Sequence, residues 1–126
     1  MAKVLMIHGD SGGLDGALRD NGHEVSTVTD GVAAVHAMTR ELPDVVLIDQ
    51  DVPMGGLRTA GILHLHPLYG SIPVLLGVTA DSRAQARSTA VKARRAGIFG
   101  VLPRPYRPAH VLEQIASVPS RPADEP

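Results

Sequence analysis

Residues 44–49 read Asp-Val-Val-Leu-Ile-Asp, four apolar side chains in a row with no polar alternation. A strand with one wet face alternates apolar and polar residues, so an unbroken run predicts a strand covered on both faces at the centre of a parallel sheet. Parallel neighbours are joined by crossovers of a dozen or more residues, usually helical. Strands and helices must therefore alternate along this chain.

Five such pairs can be read. Lys3 to Ile7 predicts a strand, followed by Ser11 as a helix N-cap, a Leu14, Ala17, Leu18 stripe and Gly22 as a stop. Glu24 to Thr29 predicts a second strand, after which Asp30 caps a helix whose Val32, Val35, Met38 and Leu42 face inward until Pro43 ends it. Asp44 to Ile48 is the third and central strand. Pro53 and Gly55-Gly56 mark a loop, and Leu57 to His66 reads as helix. Pro73 to Val78 predicts a fourth strand ending at Thr79, and Asp81 or Ser82 begins an Ala- and Arg-rich helix stopped by Gly97. Ile98 to Leu102 predicts a short fifth strand, and Pro108 opens a last helix with Val111, Leu112 and Ile115 on one face. These units make residues 1–118 one domain and leave 119–126 as a flexible tail or the start of a linker. The expected architecture is α/β, a single (βα)5 three-layer sandwich on a five-stranded parallel sheet.

The chain has 126 residues and a formal net charge of −1, which gives no standing field to collect nucleic acid or an anionic membrane. Its aromatic residues are Tyr69, Phe99 and Tyr106, too few for a base-stacking platform. With no cysteine there is no disulfide framework, thiolate metal site or thiol nucleophile, and no apolar run approaches membrane-spanning length. A cytoplasmic protein without nucleic-acid or membrane partners is expected. No apolar seam that would specify a homodimer is evident, and pairing through the late helices stays open.

In a doubly wound sheet the ligand crevice lies beyond the carboxyl ends of the strands. Those ends carry His8-Gly9-Asp10, Asp49-Gln50-Asp51, Thr79 and Arg104. A carboxylate there can attack phosphorus and form an acyl phosphate, while a hydroxyl and a cation hold the phosphoryl oxygens. Asp49, Thr79 and Arg104 match these roles. The bland alternative for Asp49 is a helix or loop cap, and for His8 a hydrogen-bonded loop histidine. His64 and His66, two apart and without a third ligand, read as surface or packing residues. Arg83, Arg87, Lys92, Arg94 and Arg95 read as a solvated basic helix face.

Three segments, Asp44-Val-Val-Leu-Ile-Asp49-Gln-Asp-Val-Pro53, Ile72-Pro-Val-Leu-Leu-Gly-Val-Thr79-Ala80 and Gly97-Ile-Phe-Gly-Val-Leu-Pro-Arg104-Pro105-Tyr106, resemble landmarks of the response-regulator receiver family of two-component signalling. The resemblance spans residues 3–117 and implies the flavodoxin-like strand order 2-1-3-4-5. It also implies that Asp49 accepts a phosphoryl group from a histidine kinase or phosphotransfer protein, that Thr79 and Arg104 follow the phosphate, and that a downstream protein or fused output domain reads the change. The implied role is a signalling switch, not an enzyme. Mg²⁺ is implied too, held by Asp49, by Asp10 and by the backbone carbonyl of Asp51.

The sequence departs from the family pattern at four places. The acidic pair after the first strand falls on His8 and Gly9, leaving Asp10 just beyond. Arg104 replaces the usual lysine, and a guanidinium fork does not occupy an ammonium's position. Val101 stands at the aromatic switch position, while Tyr106 follows the proline. The Arg104-Pro105 bond is commonly cis in the family. These departures raise the alternative of a pseudo-receiver, a protein-interaction module independent of phosphorylation. Asp49-x-Asp51 also resembles haloacid-dehalogenase-type phosphohydrolases, in which the second aspartate is a general acid.

Overall fold

The computed structural model describes residues 1–9, 12–79 and 82–119. Strands and helices alternate as β1 (Lys3–Ile7), α1 (Leu14–Asp20), β2 (Glu24–Val28), α2 (Gly31–Arg40), β3 (Val45–Asp49), α3 (Gly56–Leu65), β4 (Val74–Val78), α4 (Arg83–Arg95), β5 (Gly100–Pro103) and α5 (Pro108–Ser117). All strand pairs are parallel, in the order β2-β1-β3-β4-β5. That is the expected (βα)5 sandwich, with the unalternated 45–49 run at the centre of the sheet and every residue of it buried.

Alternate residues of each strand feed two separate cores. On one face Leu5, Ile7, Val46, Ile48, Leu76 and Val78 meet α2 and α3 through Ala34, Met38, Ala60 and Leu63. On the other, Val4, Met6, Val45, Leu47, Leu75 and Leu102 meet α1 and α5 through Leu14, Leu18, Val111 and Ile115. This period-two division assigns Asp49 to the α1/α5 face, because it continues the series 45, 47, 49.

Punctuation in the sequence maps onto the helix ends. Gly22 and Gly97 adopt left-handed φ values of 87° and 78° where α1 and α4 stop. The Asp30 side chain accepts from the Ala33 amide at 2.8 Å, and Ser82 caps α4 by accepting from Gln85 at 3.1 Å. Ser11 and Asp81, the other expected caps, lie outside the described residues, as does the tail from 120 onward. At the start of α1 the N-cap position is Gly13, with no side-chain cap.

Two expectations need correction. Val32 and Val35 do not face inward; they are 70% and 38% exposed, and the inner stripe of α2 is Ala34 and Met38. Apolar residues on α2 satisfy helical spacing in two overlapping ways that share Met38 and Leu42. The close approach of helix to sheet selects the smaller side chain, Ala34. The displaced valines join Met54 and Ile62 in an apolar groove of about 530 Å³ between α2 and α3, so an exposed apolar seam does exist. The fifth strand begins at Gly100, not Ile98. Phe99 already bonds Val74 through its amide but remains 45% exposed at the strand's approach.

α4 is the least embedded helix. Ala93 is its buried residue, and its basic side chains lie exposed as a solvated face. His64 packs against Gly97, while His66 stacks on Tyr69 with ring centroids 4.2 Å apart. Among the described residues no helix is long and apolar enough to cross a membrane.

Candidate functional site

The carboxyl end of β3 delivers Asp49 at 3% exposure, one of two buried polar or charged residues among those described. A buried carboxylate needs hydrogen-bond donors to offset its lost hydration. Tyr106 supplies one: its hydroxyl donates to Asp49 Oδ1. The phenol reaches it from the segment between β5 and α5, packed against the α1/α5 core.

A gap in the neighbouring strand makes this contact sterically feasible. Asp49 pairs with Gly77 of β4. A Cβ on residue 77 would lie 2.6 Å from Tyr106 Cζ and 2.8 Å from Cε1, inside the ring's van der Waals envelope. Glycine inside an otherwise apolar strand marks a close approach, here of an aromatic ring to the strand backbone.

Arg104 follows β5, its amide donating to Val78 O at 2.8 Å. Its guanidinium donates to Asp51 Oδ2 at 2.6 Å, joining the β3–α3 loop to the end of β5. Asp51 is 68% exposed at its side chain, so this ion pair contributes at most about 1 kcal/mol. The Arg104-Pro105 peptide is cis.

The strand-end residues expected to act together are thus distributed in pairs. Asp49 is joined to Tyr106, and Asp51 to Arg104. Thr79 lies one residue past β4 and two past Gly77, and it is exposed. Among the described residues no hydrogen bond joins Thr79 to Asp49 or Arg104. The alcohol that meets Asp49 is the phenol of Tyr106, whose place after the proline does not by itself assign it to the site. The signal that could have found it was Gly77, the one residue of Val74–Val78 without a side chain. Val101 lies half-buried on β5 opposite Leu76, against the α2/α3 core.

His8 follows β1, its amide bonded to Val28 O at 2.9 Å. Both ring nitrogens are shielded from solvent, and among the described residues neither has a hydrogen-bond partner, which is not the hydrogen-bonded loop histidine expected. Gly9 is exposed with open space around it, and Asp10 lies outside the described residues.

The described donors do not fit Mg²⁺. That ion prefers hard oxygen ligands in octahedral geometry. Here His8 presents nitrogen, the Asp49 carboxylate is engaged by Tyr106 and the Asp51 carboxylate by Arg104, which leaves from Asp51 the backbone carbonyl alone, while Asp10 lies outside the described residues. Among the described residues no group of three or more His, Cys, Asp or Glu is placed to hold a metal.

The loop after β3 is drawn tight. Gly56 N donates to Gln50 O at 3.1 Å and Gly55 N to Val52 O at 2.8 Å, while Met54 takes a left-handed φ of 73°. A side chain in that region costs roughly 1–2 kcal/mol, and glycine returns part of this through its greater unfolded-state freedom. Met54 is 63% exposed and loses little burial on truncation. Met54→Gly is expected to stabilise the protein by about 0.5–1 kcal/mol, measured by urea denaturation.

A doubly wound parallel sheet in the order 2-1-3-4-5, with a buried carboxylate at the end of its central strand and an arginine just past its edge strand, places the chain in the flavodoxin-like class of folds. The family model of the response regulator receiver domain matches residues 11–116, and the chain belongs to that family. It is similar to the chemotaxis response regulator CheY4 of Vibrio cholerae, with 26% identity and a TM-score of 0.79, over 94% of this chain and 99% of that one. The fold alone is shared with a putative response regulator from Chloroflexus aurantiacus, at 22% identity and TM-score 0.79, over 93% and 96% of the two chains. Among curated proteins it is 37% identical over 118 residues to protein-glutamate methylesterase/protein-glutamine glutaminase 4 of Geobacter metallireducens. That match takes in 87% of this chain and 32% of the relative, so the chain spans about a third of that protein's length.

Proposed function

We propose that this receiver domain accepts a phosphoryl group on Asp49 from a histidine kinase or phosphotransfer protein and relays it by changing a partner-binding surface. The observation that carries the reading is the buried Asp49 carboxylate at the end of β3, on the crevice side of the sheet. A strand-end carboxylate held in place by its neighbours is positioned as a nucleophile toward phosphorus. Arg104, one salt bridge away on Asp51, is the cation available to a phosphoryl oxygen, with Thr79 exposed at the rim. Transfer neutralises nothing locally; it adds charge, and that charge biases a two-state equilibrium of the surrounding loops.

The test is incubation with acetyl phosphate, with and without millimolar Mg²⁺, followed by intact mass spectrometry. One phosphoryl group is expected on the native chain and none on Asp49→Asn. An unmodified native chain under every condition defeats the reading.

The pseudo-receiver reading has its own observations: the Tyr106 bond on Asp49, the Asp51 bond on Arg104 and, among the described residues, no partner for the His8 nitrogens. It predicts that Asp49→Asn leaves partner binding unchanged. A phosphohydrolase would need Asp51 as a free general acid, whereas its carboxylate is held by Arg104.

A further inference from the structure

We propose that Tyr106 is a latch on Asp49: seated on Gly77, its hydroxyl occupies the carboxylate oxygen that would attack phosphorus, and the site opens only when the ring leaves. The proposal rests on the reading of Asp49 as phosphoacceptor and adds its control.

Three observations carry it. The phenol donates directly to Asp49 Oδ1. Its ring lies against the backbone of residue 77, where any side chain would collide with it, so latch and seat are a matched pair on β4 and the β5–α5 segment. Asp49 itself is 3% exposed, so the contact sits on a carboxylate with little remaining access. Arg104 is meanwhile held by Asp51, so the closed state pairs each carboxylate with its own donor.

The chemistry makes the contact inhibitory. In transfer from acetyl phosphate, an Asp49 oxygen donates a lone pair to phosphorus and a new O–P bond forms. The P–O bond to the acyl group breaks and acetate leaves with its electron pair; no proton moves. Attack requires the oxygen's lone pair to face phosphorus at about 3–3.5 Å, the space a hydrogen-bonded phenol fills. A bond from a neutral donor to a charged acceptor must first break, which lowers the open population on the order of tenfold to a hundredfold. Once phosphorylated at that oxygen, Asp49 no longer has room for the ring. Phosphorylation would then displace Tyr106, two residues before α5 begins at Pro108.

The test compares initial rates of phosphoryl incorporation from acetyl phosphate into the full chain and into Tyr106→Ala, Tyr106→Phe and Gly77→Ala. Tyr106→Ala and Gly77→Ala are expected to react on the order of tenfold faster or more, with Tyr106→Phe between them and the native chain. Two routes to the same release guard against one variant failing to fold. A folded Tyr106→Ala that reacts at the native rate or slower overturns the latch and leaves the phosphoacceptor reading intact. If no form reacts, that reading falls and the latch with it, and the contact on which the latch is built is read independently by fluorescence. The chain has two tyrosines and no tryptophan, and Tyr69 lies away from the site beside His66. Because a carboxylate hydrogen bond quenches phenol emission, Asp49→Asn should brighten the spectrum; an unchanged spectrum overturns the contact.

Discussion

Replacing Leu47 by alanine is expected to remove about 2–5 kcal/mol of unfolding free energy, read as a lower denaturant midpoint at unchanged slope. Leu47 is fully buried on β3, paired with Met6 on β1 and Leu75 on β4, and it faces the helix layer of Leu18, Val111 and Ile115. Every neighbour belongs to a regular element, so the cavity cannot collapse without moving a strand or a helix. Val32→Ala removes an apolar side chain from α2, yet its 70% exposure predicts a change within about 0.5 kcal/mol. Equal losses for the two would mean that the α2 valine packs inward after all.

The same contrast explains how much of the fold the sequence could show. The central strand was legible because double-sided burial imposes an unbroken apolar run, and the 45–49 segment carries it. Helix ends were legible at Gly22, Asp30, Ser82 and Gly97, where one residue type satisfies one backbone requirement. The face of α2 was not, because spacing alone cannot choose between two stripes sharing Met38; the distance to the sheet makes the choice. The start of β5 is masked in the sequence because Ile98 and Phe99 are apolar, although the paired strand starts at Gly100.

The candidate site divides in the same way. Asp49 was legible as the carboxylate ending a buried strand. Its partner was not, because the Tyr106 contact depends on parallel register placing Gly77 beside Asp49, a relation spanning 57 residues between hydrogen-bonded side chains. The Arg104–Asp51 pair spans 53 residues and depends on the geometry of two loops. Sequence spacing orders residues at strand ends; it does not say which of them touch.

Gly56→Ala is expected to cost about 3 kcal/mol of stability and to lower phosphoryl incorporation at Asp49 on the order of a hundredfold. A Cβ at residue 56 would stand 2.9 Å from both the Asp49 carbonyl carbon and the Gln50 Cα. These are backbone atoms of β3 and its exit, so no rotamer relieves the clash; either the first turn of α3 lifts away or the end of β3 shifts. A shift of β3 carries the Asp49 carboxylate with it, and a displacement near 1 Å suffices for that loss of rate. Gly61→Ala is the control. It lies within the same helix with nothing within 4 Å of the added carbon, so it should stabilise by about 0.5–1 kcal/mol and leave incorporation unchanged. Opposite signs for two glycine-to-alanine changes five residues apart would show that α3 is held against the phosphoacceptor strand through the missing side chain of Gly56. Matching signs would show that the loop has slack, and that Asp49 is positioned by the sheet alone.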